Sequence, residues 1–317
     1  MEHLSKIVHR TPLTTSSSVN SMIGKNVFFK MENQQKTGAF KVRGASYKIA
    51  QLEQNQAKKG VIAASAGNHA QGVALAAAKR GIKAKIFMPE KTPQSKVEAT
   101  ANYGAETVLV GASFQEAYEA AIREQQLVDS IFLHPFDDPD VMAGQGTIAI
   151  EMLEQASQLD TIIVPIGGGG LISGIAVGAK FINPKIKIIG VQANGASSTY
   201  NQYHKKGPTS LTRVDTIADG IAVKKPGEIT YPIIQKFVDD VFIVSDEDIA
   251  SAMVYMLERK KTLIEGAGAA AFAALITHSG QIKSENCGIV ISGGNMDISK
   301  MPHIQALAEN HSLTSPV

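Results

Sequence analysis

Ile163-Val164-Pro165-Ile166-Gly167-Gly168-Gly169-Gly170-Leu171 is a strand that runs into four consecutive glycines and out into a helix, with apolar residues at Leu171, Ile172, Ile175 and Val177. Glycines let backbone amides approach an oxyanion closely, and the helix behind them adds the positive end of its dipole. The stretch reads as a phosphate cup at a strand-to-helix junction. A turn that was merely flexible has no need of four glycines between two well-patterned elements. The same alternation extends in both directions. Strand-like runs fall at 27–31, 61–64, 83–88, 107–110, 161–166, 185–191, 241–244 and 288–292, and helical patterns at 69–80, 94–103, 114–125, 141–156, 171–181, 246–262 and 267–277. Such βαβα order predicts an α/β protein, a parallel-rich sheet with helices on both faces.

The glycine spacing narrows the ligand. The triphosphate loop G-x-x-x-x-G-K-[ST] does not occur, and the last glycine of the dinucleotide fingerprint would fall on Ile172 or Ser173. The strand at 185–191 ends at Gln192 rather than at an acid that would hold a ribose. A single phosphate monoester fits better.

Composition bounds the rest. With 317 residues, 44% hydrophobic and 19% charged, the chain is ordinary globular material, long enough for two domains that share a cleft. A net charge of +2 and the absence of Trp leave neither a basic stripe nor a stacking platform, so no nucleic-acid partner is expected. No apolar run reaches the ~18 residues of a membrane span and no signal-peptide core opens the chain, so no membrane partner and a cytoplasmic location are expected. The one cysteine, Cys287, lies in an apolar run and reads as a small buried hydrophobe. The α/β pattern takes up the whole chain, so no separate regulatory domain is expected to follow it.

Chemistry enters at Lys36-Thr37-Gly38-Ala39-Phe40-Lys41-Val42-Arg43-Gly44-Ala45. Thr37-Gly38 offers a cap and a permissive backbone before a helix that continues through Tyr47-Lys48-Ile49. A lysine on the first turn of that helix lies beside orphan amides and a positive dipole end, which disfavours its charged form and suits an imine-forming amine. Lys41 is therefore the candidate nucleophile.

Three further loops end strands. Ser65-Ala66-Gly67-Asn68-His69 opens a helix, and its serine, asparagine and amides suit a carboxylate, while Asn68 also suits a phenolic oxygen; helix capping alone would explain Ser65 or Asn68 as well. Ser292-Gly293-Gly294-Asn295 is a glycine turn that a plain strand end would also explain. Glu265, before a small-residue helix, suits either a cofactor ring or a cap. Asp138-Pro139 reads as an N-cap followed by proline at the first helical position, which accounts for the acidic run 137–140 without a metal. Ser245 with Asp248 reads as a capping box. The stretch 193–225 is weakly patterned and reads as surface loop or short helices.

With residues 38–44, 65–72, 167–171 and 292–295 in this order, nearly the whole chain resembles the fold-type II pyridoxal-phosphate enzymes, specifically the serine/threonine dehydratase and serine racemase family. It is most similar to the short catabolic threonine dehydratase branch. The resemblance implies two open α/β domains with the cofactor between them: a large cofactor domain of residues 1–50 and 137–317, and a small domain of residues 51–136 for the substrate carboxylate. It implies that Lys41 holds pyridoxal 5'-phosphate covalently and that Gly167, Gly168, Gly169, Gly170 and Leu171 bind its phosphate. Asn68 would meet its ring oxygen and Ser292 its pyridine nitrogen, while Ser65, Ala66, Gly67, Asn68 and His69 take the substrate carboxylate.

The implied reaction is α,β-elimination of water from L-threonine, or from another β-hydroxy amino acid such as L-serine, 3-hydroxyaspartate or a hydroxyectoine-pathway intermediate. The partner would be that small amino acid, and the assembly a homodimer or homotetramer. Racemases of the family carry a second serine where this chain has Ala66, so racemisation is disfavoured. Their divalent-metal acids correspond to Gln192 and Ser198, so no metal is expected. Side-chain specificity is expected from the loops at 134–140 and 218–223. A protein of another class, a ligand-binding shell without catalysis, is countered by the presence of Lys41.

Overall fold

The computed structural model describes residues 4 and 7–309. Ten strands lie among them: β1 (Leu13–Thr15), β2 (Asn26–Met31), β3 (Val61–Ala64), β4 (Ala84–Met88), β5 (Glu106–Leu109), β6 (Ile131–Phe132), β7 (Thr161–Pro165), β8 (Lys187–Ala193), β9 (Asp240–Val244) and β10 (Asn286–Ile291). The expected α/β class is what the structure has: sheet order β5-β4-β3-β6 in one sheet and β1-β2-β10-β7-β8-β9 in the other. Every pairing is parallel except β1 with β2. Strands covered by helices on both faces need apolar side chains on both. That is why β3 (Val-Ile-Ala-Ala) and β7 (Thr-Ile-Ile-Val-Pro) are buried at every position and legible as unbroken apolar runs.

The chain divides into two compact units, Met1–Arg10 with Gln35–Gln145, and Thr11–Gln34 with Gly146–Val317. The first holds the four-stranded sheet. Its helix Lys41–Gln51 packs closely on the helix Asn68–Lys79, because Gly72 presents no side chain: a Cβ there would stand 3.0 Å from the Val42 amide nitrogen. The core behind the sheet gathers Ala45, Ile49, Val61, Ala63, Val73, Ala77, Ile86 and Leu133. The unit's bounds differ from those drawn on the sequence, since residues 1–10, 35–50 and 137–145 go with it. The helix contact just described is the reason that residues 35–50 do so.

The second unit wraps the six-stranded sheet around the helix Gly266–Thr277, whose small side chains let it lie against β7, β8, β9 and β10. Phe29 of β2 meets Phe272 of that helix edge to face, ring centroids 5.2 Å apart. Lys30 is fully buried, and its ammonium is matched by Glu151 at 2.6 Å, the Thr11 carbonyl at 2.7 Å and Gln155 at 2.9 Å, the kind of saturation a buried charge requires.

Several expectations need correction. Thr37 does not cap the first helix: helical geometry starts at Lys41, with Phe40 in the cap position, and the Thr37 hydroxyl faces the Ala39 carbonyl at 3.4 Å. Strands β1 and β6 were not expected, being too short to show a period, nor were the helices Ser17–Ile23, Gln54–Lys58, Thr230–Phe237 and Met301–Glu309. The stretch 193–225 does hold the short helix Ser198–Tyr203, but it is not all surface: Ser198, Thr199, Ala218 and Ile221 are buried. The caps stand as read. Asp138 Oδ1 accepts from the amides of Asp140 and Val141 at 2.8 and 3.1 Å, and Ser245 with Asp248 forms a reciprocal box. Cys287 is buried, and burial pushes its thiol pKa up.

Candidate active site

In the first unit the carboxyl ends of β3 and β6 lie side by side, with Ile62 paired to Phe132, so the loop 65–69 emerges beside the segment Leu133-His134-Pro135. This segment ties two of the singled-out residues together. Lys41 Nζ donates to the Pro135 carbonyl at 2.7 Å, and the His69 ring reaches the Leu133 carbonyl through Nε2 at 3.0 Å. A carbonyl only accepts, so Nε2 carries the proton, and Nδ1, buried and without a hydrogen-bond partner among the described residues, keeps its lone pair. Burial, with the Lys41 charge second, pulls the His69 pKa down to about 3, so the ring is neutral.

The loop leads into a helix N-terminus. Gly67 stands in the cap position of the helix Asn68–Lys79 and has no side chain to cap it. The first-turn amides lack intrahelical acceptors. Ser65 Oγ accepts from the Gly67 amide at 3.2 Å, which fixes the serine while leaving its hydroxyl proton to donate. Before Lys41 the chain turns through Gly38, whose φ of 69° lies in the left-handed region.

In the second unit the register Ile289 to Ile163 sets the ends of β10 and β7 side by side, so Ser292 and the tetraglycine loop leave the same edge of the sheet. In parallel sheets that carboxyl edge is where ligands bind. Gly169 has φ 97°, and a Cβ on it would fall 2.7 Å from Thr230 Oγ1 and 2.9 Å from Ile234 Cδ1. The Gly168 carbonyl is drawn aside by Thr230 Oγ1 at 2.7 Å and the Gly227 amide at 3.2 Å. The helix Gly170–Ile182 starts immediately after, so its first amides are left for an oxyanion.

Ser292 is 2% exposed, so a neutral hydroxyl lies buried at the edge from which the glycine loop also leaves. Glu265 occupies the cap position of the helix Gly266–Thr277 without a side-chain cap bond, which removes capping as its explanation; its amide donates to Gly293 O at 3.1 Å. Within the second unit, the glycine cradle and the buried Ser292 on the same sheet edge fit a phosphate monoester that carries a ring nitrogen.

Two participants were not foreseen. Thr230 lay in a stretch with no periodic signal, and the Pro135 carbonyl is a backbone group that no residue identity announces. Gln192 is buried and structural: its Oε1 accepts from the Tyr200 amide at 2.8 Å.

The comparisons with known proteins agree with this chemistry. The family model described as pyridoxal-phosphate dependent enzyme matches residues 4–293. The chain is 48% identical to an L-threonine ammonia-lyase of Thermotoga maritima over 95% of its own length and 75% of the relative's. It is 42% identical to the catabolic L-threonine dehydratase TdcB of Escherichia coli K12 over 97% of its length and 94% of the relative's. The solved structure of the processed form of threonine deaminase isoform 2 from Solanum lycopersicum superposes with a TM-score of 0.94 at 38% identity, covering 97% of this chain and 85% of that one.

Proposed function

The chain belongs to the pyridoxal-phosphate dependent enzyme family, and on that premise we propose that it is a threonine ammonia-lyase, eliminating water from L-threonine to an enamine that takes up water again on hydrolysis to 2-oxobutanoate and ammonia. Its cofactor is pyridoxal 5'-phosphate. Lys41 would hold that group covalently, the amides of Gly167, Gly168, Gly169, Gly170 and Leu171 its phosphate, Asn68 its ring oxygen, and Ser292 its pyridine nitrogen. When bound, the cofactor supplies an electron sink for the charge left at the substrate Cα.

The chain's own residues do the rest. Ser65 and the amides of Ala66, Gly67, Asn68 and His69 hold the substrate carboxylate at a positive helix end, which orients Cα. Lys41 Nζ takes the Cα proton as general base. Pro135 O, 2.7 Å away, accepts a hydrogen bond from the ammonium so formed. Ser292 offers a neutral hydroxyl, which unlike an aspartate does not force the pyridine nitrogen to stay protonated, and so favours expulsion of the β-hydroxyl over transamination. Ala66 has no proton to return to Cα, which weighs against racemisation.

The observation that carries this reading is the shared segment 133–135. By accepting both the Lys41 amine and the His69 ring, it fixes the base relative to the carboxylate loop. We keep as further proposals the assignment of residues 1–50 and 137–317 to cofactor binding and of 51–136 to the substrate carboxylate, and the absence of a dedicated divalent site at Gln192 and Ser198, which full activity after chelation would support. A cytoplasmic homodimer or homotetramer is proposed on similar terms. The exposed Val177, Phe181 and Ile182 of one helix support an assembly of copies, and light scattering reads its mass.

The experiment is a panel of amino acids given to the protein loaded with cofactor, read as 2-oxo acid release. L-Threonine should turn over fastest, with L-serine behind it. Release from neither would overturn the assignment.

A further inference from the structure

Lys41 is aimed by a backbone carbonyl, and what aims that carbonyl is a side chain. Two amides of the segment 134–137 donate into the same ring nitrogen: Asp137 N at 2.8 Å and Phe136 N at 3.3 Å from His134 Nδ1. Between His134 and these amides lies Pro135, whose oxygen receives Lys41 Nζ. Amide nitrogens only donate, so Nδ1 must hold a lone pair, and the ring is the neutral tautomer with its proton on Nε2. Aromatic walls hold the ring in place: Phe136 at 4.6 Å between centroids, and Tyr118 and Phe132 at 6.4 Å each, all edge to face.

We propose that His134 is a positioning residue for the elimination, its neutral ring pinning the turn 134–137 so that the Pro135 carbonyl stays directed at the Lys41 amine. The inference rests on Lys41 being the general base. As Lys41 takes the Cα proton it becomes an ammonium, and an acceptor already in place favours that charged product of the transfer. A proton on Nδ1 would set a third donor against two amides, and the turn would lose both bonds.

The groups facing the ring from the surrounding elements are Asp137 and Asp138 on its own segment, Lys41 from the helix Lys41–Gln51, His69 from the helix Asn68–Lys79 and Tyr118 from the helix Phe114–Val128. Lys48 in turn pairs with Asp138 at 3.0 Å. Burial is the largest influence on the ring and holds its pKa below the ordinary histidine value. Asp137 opposes burial, Lys41 reinforces it and Asp138 opposes it again. The turn therefore persists below pH 6.5, the ordinary value, and fails only in more acid solution.

Asn supplies the matching test, because its Oδ1 occupies the same bonded position as Nδ1, accepts amides in the same kind of turn and does not titrate. In the cofactor-loaded enzyme, His134→Leu should lower kcat for L-threonine roughly 10- to 100-fold, the worth of one hydrogen bond to a charged group, with KM and the visible absorbance of bound cofactor little changed. His134→Asn should restore most of kcat and lose the part of the acid limb of kcat that lies below pH 6.5. Equal impairment of the two variants, a Leu variant with wild-type kcat, or an Asn variant that keeps the wild-type acid limb would each overturn the proposal. If the Leu variant does not fold, the Asn pH profile decides alone. A failure here leaves the lyase assignment standing, because that assignment fails on a different readout, the amino-acid panel.

Discussion

The loop 65–69 and the loop 167–171 are the same device, a strand end feeding a helix whose first amides await an anion, yet they are held in place by opposite means. The second carries almost no side chains: it is shaped by the absence of Cβ atoms, with Thr230 and Ile234 filling the space a side chain at Gly169 would need. The first carries Ser65, Asn68 and His69 and is anchored by a ring to the Leu133 carbonyl. On the proposed reading the second loop takes a resident phosphate, for which shape and amides suffice. The first would hold a substrate beside the proposed base, which calls for side chains tied to that base, and the segment 133–135 is hydrogen-bonded to both His69 and Lys41.

Breaking each loop by its own logic should separate the two functions. The larger effect is expected from Gly169→Ala. A non-glycine residue at φ 97° is strained, and the new methyl meets Thr230 Oγ1 at 2.7 Å. Two such penalties of ~1–2 kcal/mol each translate into cofactor affinity lower by roughly 30- to 700-fold. Cofactor titration followed by absorbance measures it, and unchanged affinity would remove the glycine loop from the phosphate site.

The smaller effect concerns the side-chain loop and is read in stability. His69 is neutral in the fold, with a pKa of about 3 against 6.5 when unfolded. The unfolded chain therefore binds an extra proton as the pH falls below 6.5, and the stabilisation from burying the neutral ring, fully present above that value, is lost progressively down to about 3. By pH 5 the loss amounts to about 2 kcal/mol. His69→Gln keeps a donor for Leu133 O without the titration, so its stability gap to the wild type should narrow by about that amount between pH 7 and pH 5 in denaturant unfolding. A gap that does not change with pH would mean the ring is not buried neutral.

What was legible in the sequence follows the same division. The tetraglycine loop and the strands β3, β7 and β10 announce themselves because glycine runs and unbroken apolar runs have few other uses. Lys41 can be singled out, but the sequence points to a cap at Thr37, three residues before the observed cap position Phe40, since a turn through Gly38 and Phe40 leaves no periodic trace. Strand β6, only two residues long, has no period to read, and with it went the segment that aims the lysine. Residues 134–140 are expected to set side-chain specificity, and the structure adds two tasks to that expectation, with Pro135 O on Lys41 and Asp138 on a helix end. A carbonyl's direction is a property of the folded backbone, and the amino-acid letters do not carry it.

The most direct measurement is reductive trapping of the cofactor-loaded protein with borohydride, followed by peptide mass spectrometry, with Lys41→Ala treated in parallel. A single pyridoxyl adduct on the peptide containing Lys41, absent from the variant together with visible absorbance and with turnover lowered about 1000-fold or more, is the expected result. An adduct on another lysine, or a variant that keeps its colour and its rate on L-threonine, would contradict the assignment of the reacting amine.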